Sequence, residues 1–94
     1  MQRYISLINF TDQGATNMKD SPNRAHAFTA AAETAGIRVI AQYWTVGSYD
    51  GVLIIEAEDG NRAVHYLAEL VADGNVRTNT LQAFTDTEIE NILA

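Results

Sequence analysis

The chain has 94 residues, 47% hydrophobic and 19% charged, a balance that suits one folded domain with a modest core rather than a disordered segment. Asp and Glu outnumber Lys and Arg twelve to six, for a net charge of −6, and cysteine is absent. These counts argue against phosphate-driven nucleic-acid binding, a disulfide framework and thiolate chemistry. No apolar run reaches the ~20 residues of a membrane span, and Met1-Gln2-Arg3-Tyr4 lacks the apolar core of a secretion signal. A cytoplasmic protein without nucleic-acid or membrane partners is expected.

Tyr4 to Phe10 reads as a strand, ended by Thr11-Asp12, and Thr11 is placed to cap a helix. The helical pattern continues to Ala35 and stops at Gly36, the position after a helix end. Ser21-Pro22 interrupts it. Proline lacks the amide proton and clashes one turn back, so the helix is expected to restart, with Ser21 as cap and Pro22 as first helical residue. Met18, Ser21, Ala25, Phe28, Ala32 and Ala35 keep one inward stripe through the break, at helical spacing.

Val39 to Val46 and Val52 to Ala57 are rich in β-branched and aromatic residues, hence strands. The five residues between them, Gly47 to Gly51, suit a hairpin loop. Asp59 then caps a second helix with the stripe Ala63, Leu67, Leu70 and Val71, and Gly74 stops it. Val76 to Phe84 forms a fourth strand. Thr85 and Glu88 are spaced as a capping box, and Phe84 and Ile89 as a hydrophobic staple, for a last short helix. The order β-α-β-β-α-β plus a C-terminal helix is the split βαβ, an α+β ferredoxin-like arrangement over residues 1–94 in which both helices cover one face of a four-stranded antiparallel sheet.

Alternation along strands groups Ile5, Leu7, Val39, Ala41, Leu53, Ile55, Leu81 and Ala83 on the helix side. It leaves Tyr4, Ser6, Ile8, Phe10, Ile40, Gln42, Trp44, Val52, Ile54, Glu56, Thr78, Thr80 and Gln82 on the other. An open sheet face should be largely polar, yet Ile8, Phe10, Ile40, Trp44, Val52 and Ile54 would make an apolar patch. Burial at roughly 1.5–3 kcal/mol per side chain outweighs an association cost of ~4–15 kcal/mol shared by two subunits. These six residues are therefore the expected interface of a homodimer, sheet against sheet. The competing expectation is that Ile89, Ile92 and Leu93 fold back over the patch within one chain.

Four segments in order give the chain a family resemblance. They are Tyr4-Ile5 with Leu7 to Gly14, Lys19 to Pro22, Gly47-Ser48-Tyr49-Asp50, and Gly74 to Thr78 with Thr80-Leu81 and Ala83 to Thr85. Together they resemble the GYD family, small prokaryotic domains named for a Gly-x-Tyr-Asp hairpin. The resemblance implies a ferredoxin-like fold, dimeric as an α+β barrel, with no established activity and so no catalytic residues to carry over. The effector domains of leucine-responsive regulators are more loosely similar. They share the strand order, and some bind amino acids between subunits. No helix-turn-helix precedes the fold here, so DNA binding is not implied.

Tyr49 and Asp50 are the first candidates for a ligand site. Asp50 is suited to close the turn through backbone amides, or to fix an amine or hydroxyl at a subunit seam. Asn9, Trp44 and Arg77 are strand residues able to line a cavity, with ordinary duties open to each. His26 lies off the helix stripe, and His65 and Glu69 form an i,i+4 surface pair. Neither histidine belongs to a metal-ligand spacing, so no metal or cofactor is expected. Asp12-Gln13-Gly14 begins a helix, where anions bind, but Asp12 already answers that field. The leading functional expectation is an oligomeric domain that binds a small metabolite at a subunit interface through Tyr49, Asp50, Asn9 and Arg77. The alternatives are a small cofactor-free enzyme of oxygenase or isomerase type, and a module for assembly only.

Overall fold

The computed structural model describes residues 1–94. The chain runs β1 (Gln2–Phe10), α1 (Asp12–Thr16), a 3₁₀ turn (Met18–Asp20), α2 (Ser21–Thr34), β2 (Arg38–Trp44), β3 (Gly51–Ala57), α3 (Gly60–Ala72), β4 (Val76–Ala83) and α4 (Asp86–Leu93). The sheet order is β2-β3-β1-β4, every neighbouring pair antiparallel. This is the ferredoxin-like arrangement expected from the element order.

The caps read from the sequence hold three of the helices in place. The hydroxyl of Thr11 accepts the Gly14 amide at 3.1 Å, and the carboxylate of Asp59 accepts the Asn61 amide at 2.9 Å. Thr85 and Glu88 form the capping box of α4, with Glu88 N–H donating to Thr85 Oγ1 at 3.1 Å and Thr85 N–H to Glu88 Oε1 at 2.7 Å. Ser21 departs from expectation. It is the first residue of α2 and not its cap, which is Asp20. Its buried hydroxyl instead accepts the indole N–H of Trp44 at 3.0 Å. α1 is pinned to the α3–β4 turn: Thr11 N–H donates to Asn75 O at 3.0 Å and Thr11 Oγ1 to Gly74 O at 2.5 Å. A side chain at Gly14 would run into the Asn75 carbonyl, so glycine lets α1 lie against that turn.

The core lies between α2, α3 and β3. Ala32, Ile37, Leu53, Ile55, Ala57, Ala63 and Leu67 are buried there, with Tyr4, Ile8, Phe28, Val39, Tyr66 and Leu70 packed around them. Alanines at Ala32 and Ala63 bring the helices close to the sheet, as the stripes predict.

Strand pairing corrects the face assignment. Cross-strand partners project from the same face, and Tyr4, Ser6 and Ile8 lie opposite Ile55, Leu53 and Gly51. Tyr4, Ser6, Ile8 and Phe10 therefore face the helices, and Ile5 and Leu7 face away. β4 follows β1. Thr78, Thr80 and Gln82 pair with Ile8, Ser6 and Tyr4, while Leu81 pairs with Ile5 and Ala83 with Arg3. In β2 a bulge between Val39 and Ala41 shifts the register. A bulge inserts one unpaired residue, so Val39 faces the helices opposite Ile55, and beyond the bulge Gln42 and Trp44 do so in place of Ala41. Of the six residues expected at a sheet-to-sheet interface, Ile40, Val52 and Ile54 do lie on the open side. Ile8 and Phe10 lie beneath the helices, and Trp44 is on their side of the sheet but half exposed. Both faces of β1 are apolar enough to be the inner one, so periodicity could not choose between them.

Candidate functional site

The Gly47–Asp50 hairpin joins β2 to β3 and locks onto the end of β1. Gly47 has φ 144°, a value that favours glycine. Thr45 N–H donates to Asp50 O at 2.9 Å, and Thr45 Oγ1 to Tyr49 O at 2.6 Å. Asp50 N–H donates to Ile8 O at 2.7 Å, and Asp50 Oδ2 accepts the Phe10 N–H at 2.8 Å. The carboxylate thus extends the β1–β3 ladder by one bond beyond its Ile8–Gly51 end, just before the first residue of β3, a turn-closing duty suited to aspartate. Asn9, between these two bonded residues, pairs across β1–β4 with Arg77, and both are exposed. Asp50, Asn9 and Arg77 therefore share one end of the sheet, while Tyr49 contributes a backbone carbonyl.

The open face has an ion-pair cluster at its other end. Arg3 donates to Glu56 Oε2 at 2.8 Å and to Glu88 Oε1 at 2.9 Å, and Arg38 lies 4.0 Å from Glu56. The hydrogen bonds that Arg3 donates, first to Glu88 and then to Glu56, raise its pKa. The Glu88 carboxyl is held below the usual carboxylate range, chiefly by the Thr85 backbone N–H and then by Arg3. The cluster ties α4 to β1 by its first turn. The apolar stripe of α4 does not cover the sheet: Ile89, Ile92 and Leu93 are 40, 58 and 77% exposed. Between the cluster and Asn9–Arg77 the open face carries Ile5, Leu7, Tyr43, Val52, Ile54 and Leu81 in register across four strands, with the exposed Asn79 opposite Leu7.

On the other side of the sheet, under α2 and α3, lies a cavity of about 490 Å³. Ile8, Phe10, Phe28, Trp44, Tyr66 and Leu70 give it a mainly apolar lining, and Arg24, Gln42 and Asp50 are among its polar residues. Of the residues singled out from the sequence, Trp44 and Asp50 meet here, whereas Asn9 and Arg77 stand on the opposite face. Arg24, on the inner side of α2, was not foreseen. Its spacing from Ser21 and Phe28 put it beside the stripe, which was the available signal.

The GYD domain model matches residues 4–93. The chain belongs to the GYD domain family. Gly47-Ser48-Tyr49-Asp50 thus has a structural duty in this GYD domain, joining three strands at one end of the sheet. A protein of Thermus thermophilus named glutamine synthetase and cystathionine beta-lyase binding protein is 37% identical over 84 residues, 88% of each chain. The crystal structure of TTHA0845, also from Thermus thermophilus, superposes with TM-score 0.58 at 24% identity, covering 90% of this GYD domain and 95% of that chain. MtbAldR superposes with TM-score 0.62 at 16% identity over 90% of this domain, which spans 52% of that longer chain. These two structures share the fold. No helix here is long and apolar enough to cross a membrane.

His26 is exposed, and His65 Nε2 lies 3.0 Å from Glu69 Oε1 on the outer side of α3, an ordinary i,i+4 pair.

Proposed function

We propose that this GYD domain is a protein-binding module, and that the protein its open sheet face takes is a second copy of the chain. The observation that carries the reading is the uncovered apolar surface running from Ile5, Ile54 and Leu81 across the sheet and onto α4. Four strands ~4.8 Å apart, each about seven residues long at ~3.3 Å rise, give a face of roughly 440 Å². A standard interface buries about 800 Å² per partner. The sheet supplies about half of that, and the exposed stripe of α4 with Phe84, itself 49% exposed, is the nearest apolar surface to supply the rest. The ends of the face suit a rim, since Arg3–Glu56–Glu88 and Asn9–Arg77 keep their polar groups at its margins. The name of the Thermus thermophilus relative, a binding protein for two enzymes, supports the same broad role.

Size-exclusion chromatography with light scattering tests it. The unmodified chain is expected at twice the mass of one chain at micromolar concentration. Ile54→Asp and Leu81→Asp are expected to elute as folded monomers, and His65→Ala, on the outer side of α3, as a dimer. A monomeric unmodified chain, or an Ile54→Asp dimer, overturns the reading.

A further inference from the structure

The cavity beneath α2 and α3 carries more negative than positive charge. Asp50, Glu69 and Asp73 belong to its lining, against the single guanidinium of Arg24. That guanidinium faces away from the space, since Nη1 donates to Asn17 O at 2.8 Å and Nη2 is shielded from solvent. The indole N–H of Trp44 is taken by Ser21 and the Gln42 amide by Thr29. The Glu69 carboxylate is shared with His65. Asp50 is different. Its Oδ2 accepts the Phe10 N–H, while Oδ1 has no partner and stays open to solvent. Asp73 bonds only through its backbone, to Gln13 and Glu69, which leaves its carboxylate free. Both lie near the end of β1, because Asn75, two residues after Asp73, accepts the N–H of Thr11, the neighbour of Phe10.

The volume of about 490 Å³ falls in the ~300–1,000 Å³ range of small-molecule sites, where apolar walls and a few polar groups set orientation. Phe10, Phe28, Trp44 and Tyr66 make the walls aromatic as well as apolar, and aromatic ring faces attract cations. The chain's net charge of −6 adds a field of the same sense, which apolar walls concentrate. An anion would meet repulsion. A carboxylate oxygen without a partner calls for an N–H donor, best a charged one, and a protonated primary amine brings three. We propose that this cavity is a binding site for a small organic monocation, a primary amine with an apolar or aromatic body, its ammonium group on Asp50 Oδ1 with Asp73 close by, and its body between Phe28 and Trp44. Binding here uses the face opposite to the proposed dimer contact, so either can fail without the other.

Trp44 is the chain's one tryptophan and lies in the lining, so its fluorescence reports occupancy. The unmodified chain is titrated at pH 7 with 3-phenylpropan-1-amine, with the neutral 3-phenylpropan-1-ol and with 3-phenylpropanoate. A saturable change with the amine is expected, at an affinity about tenfold or more above that of the alcohol, the scale of one hydrogen bond to a charged group, with the acid weakest of the three. Asp50→Asn, which removes the charge and keeps an oxygen for the Phe10 N–H, is expected to bring the amine down towards the level of the alcohol. Ala31→Phe, at the cavity wall, is expected to abolish binding of both. Far-UV circular dichroism checks that each variant is folded. No saturable change with the amine, equal binding of amine and alcohol, or undiminished binding of the amine by folded Asp50→Asn overturns the proposal. The amine–alcohol comparison uses the unmodified chain, so it decides the matter even where a variant does not fold.

Discussion

The two faces of the sheet are both mixed. On β1 and β4 the helix side carries Ser6 and Thr78 beside Tyr4, Ile8 and Phe10, with Thr80 and Gln82 exposed along β4, while the open face carries Ile5, Leu7 and Leu81 beside Asn9, Arg77 and Asn79. Ser6 is fully buried, and its hydroxyl shares a 2.7 Å hydrogen bond with Thr80. Burial is tolerable for a hydroxyl that has a partner, and the small side chain leaves room under α3. The open face lacks any such cover in a single chain. A polar residue can therefore belong inside when a hydrogen bond satisfies it, and the apolar residues of the open face are those that the proposed dimer would cover.

Adjacent residues of β3 offer the sharpest way to break that contrast. Leu53 is buried in the core and Ile54 is on the open face. Leu53→Ala should destabilise by about 2–5 kcal/mol through transfer and cavity costs, whatever the protein concentration. Ile54→Ala should cost less, and its melting temperature should lose the concentration dependence that a dimer gives. Melting curves over a hundredfold concentration range separate the two; equal behaviour would mean that the faces do not differ as described.

The hairpin comes next in expected effect. Asp50→Ala leaves the partly buried Phe10 N–H without its acceptor and should cost about 1–3 kcal/mol in urea denaturation. Asp50→Asn keeps an oxygen there and should lose less than half as much. If Asn is as damaging as Ala, the charge and not the acceptor matters, and the aspartate has a duty beyond closing the sheet.

The smallest effect belongs to the cluster at the α4 end. Glu88 is depressed in the folded state by the Thr85 backbone N–H and by Arg3. A carboxylate with a lowered folded pKa adds stability above its unfolded value of ~4.3 and loses it as pH falls through the folded one. Glu88→Gln should therefore melt slightly below the unmodified chain at pH 7 and level with it in acid. A gap that persists at pH 2 would show that Glu88 acts through packing.

Much of the fold was legible in the sequence because its signals are local. Thr11, Asp59 and the Thr85–Glu88 box mark helix starts by bonds spanning two or three residues, and Gly36 and Gly74 mark ends by their positive φ. The helical stripes through Ala32 and Ala63 needed only a period. The candidate site was less legible. Asp50 was found from the turn, but its bond to Phe10, forty residues away in sequence, was not. Arg24 was missed because nothing within its own helix shows that Nη2 ends up buried and unmatched.

The amino-acid order by itself determined the elements, their order in the chain and the family, since each rests on neighbours a few residues apart. Which side of β1 and β4 meets the helices, and which half of β2 turns over, was decided only in the tertiary structure. Alternation has two equivalent settings when both sides of a strand are apolar, and one bulged residue exchanges them. Only the pairing of β1 with β3, distant in sequence, fixes the choice, and with it which residues line the cavity and which lie on the open face.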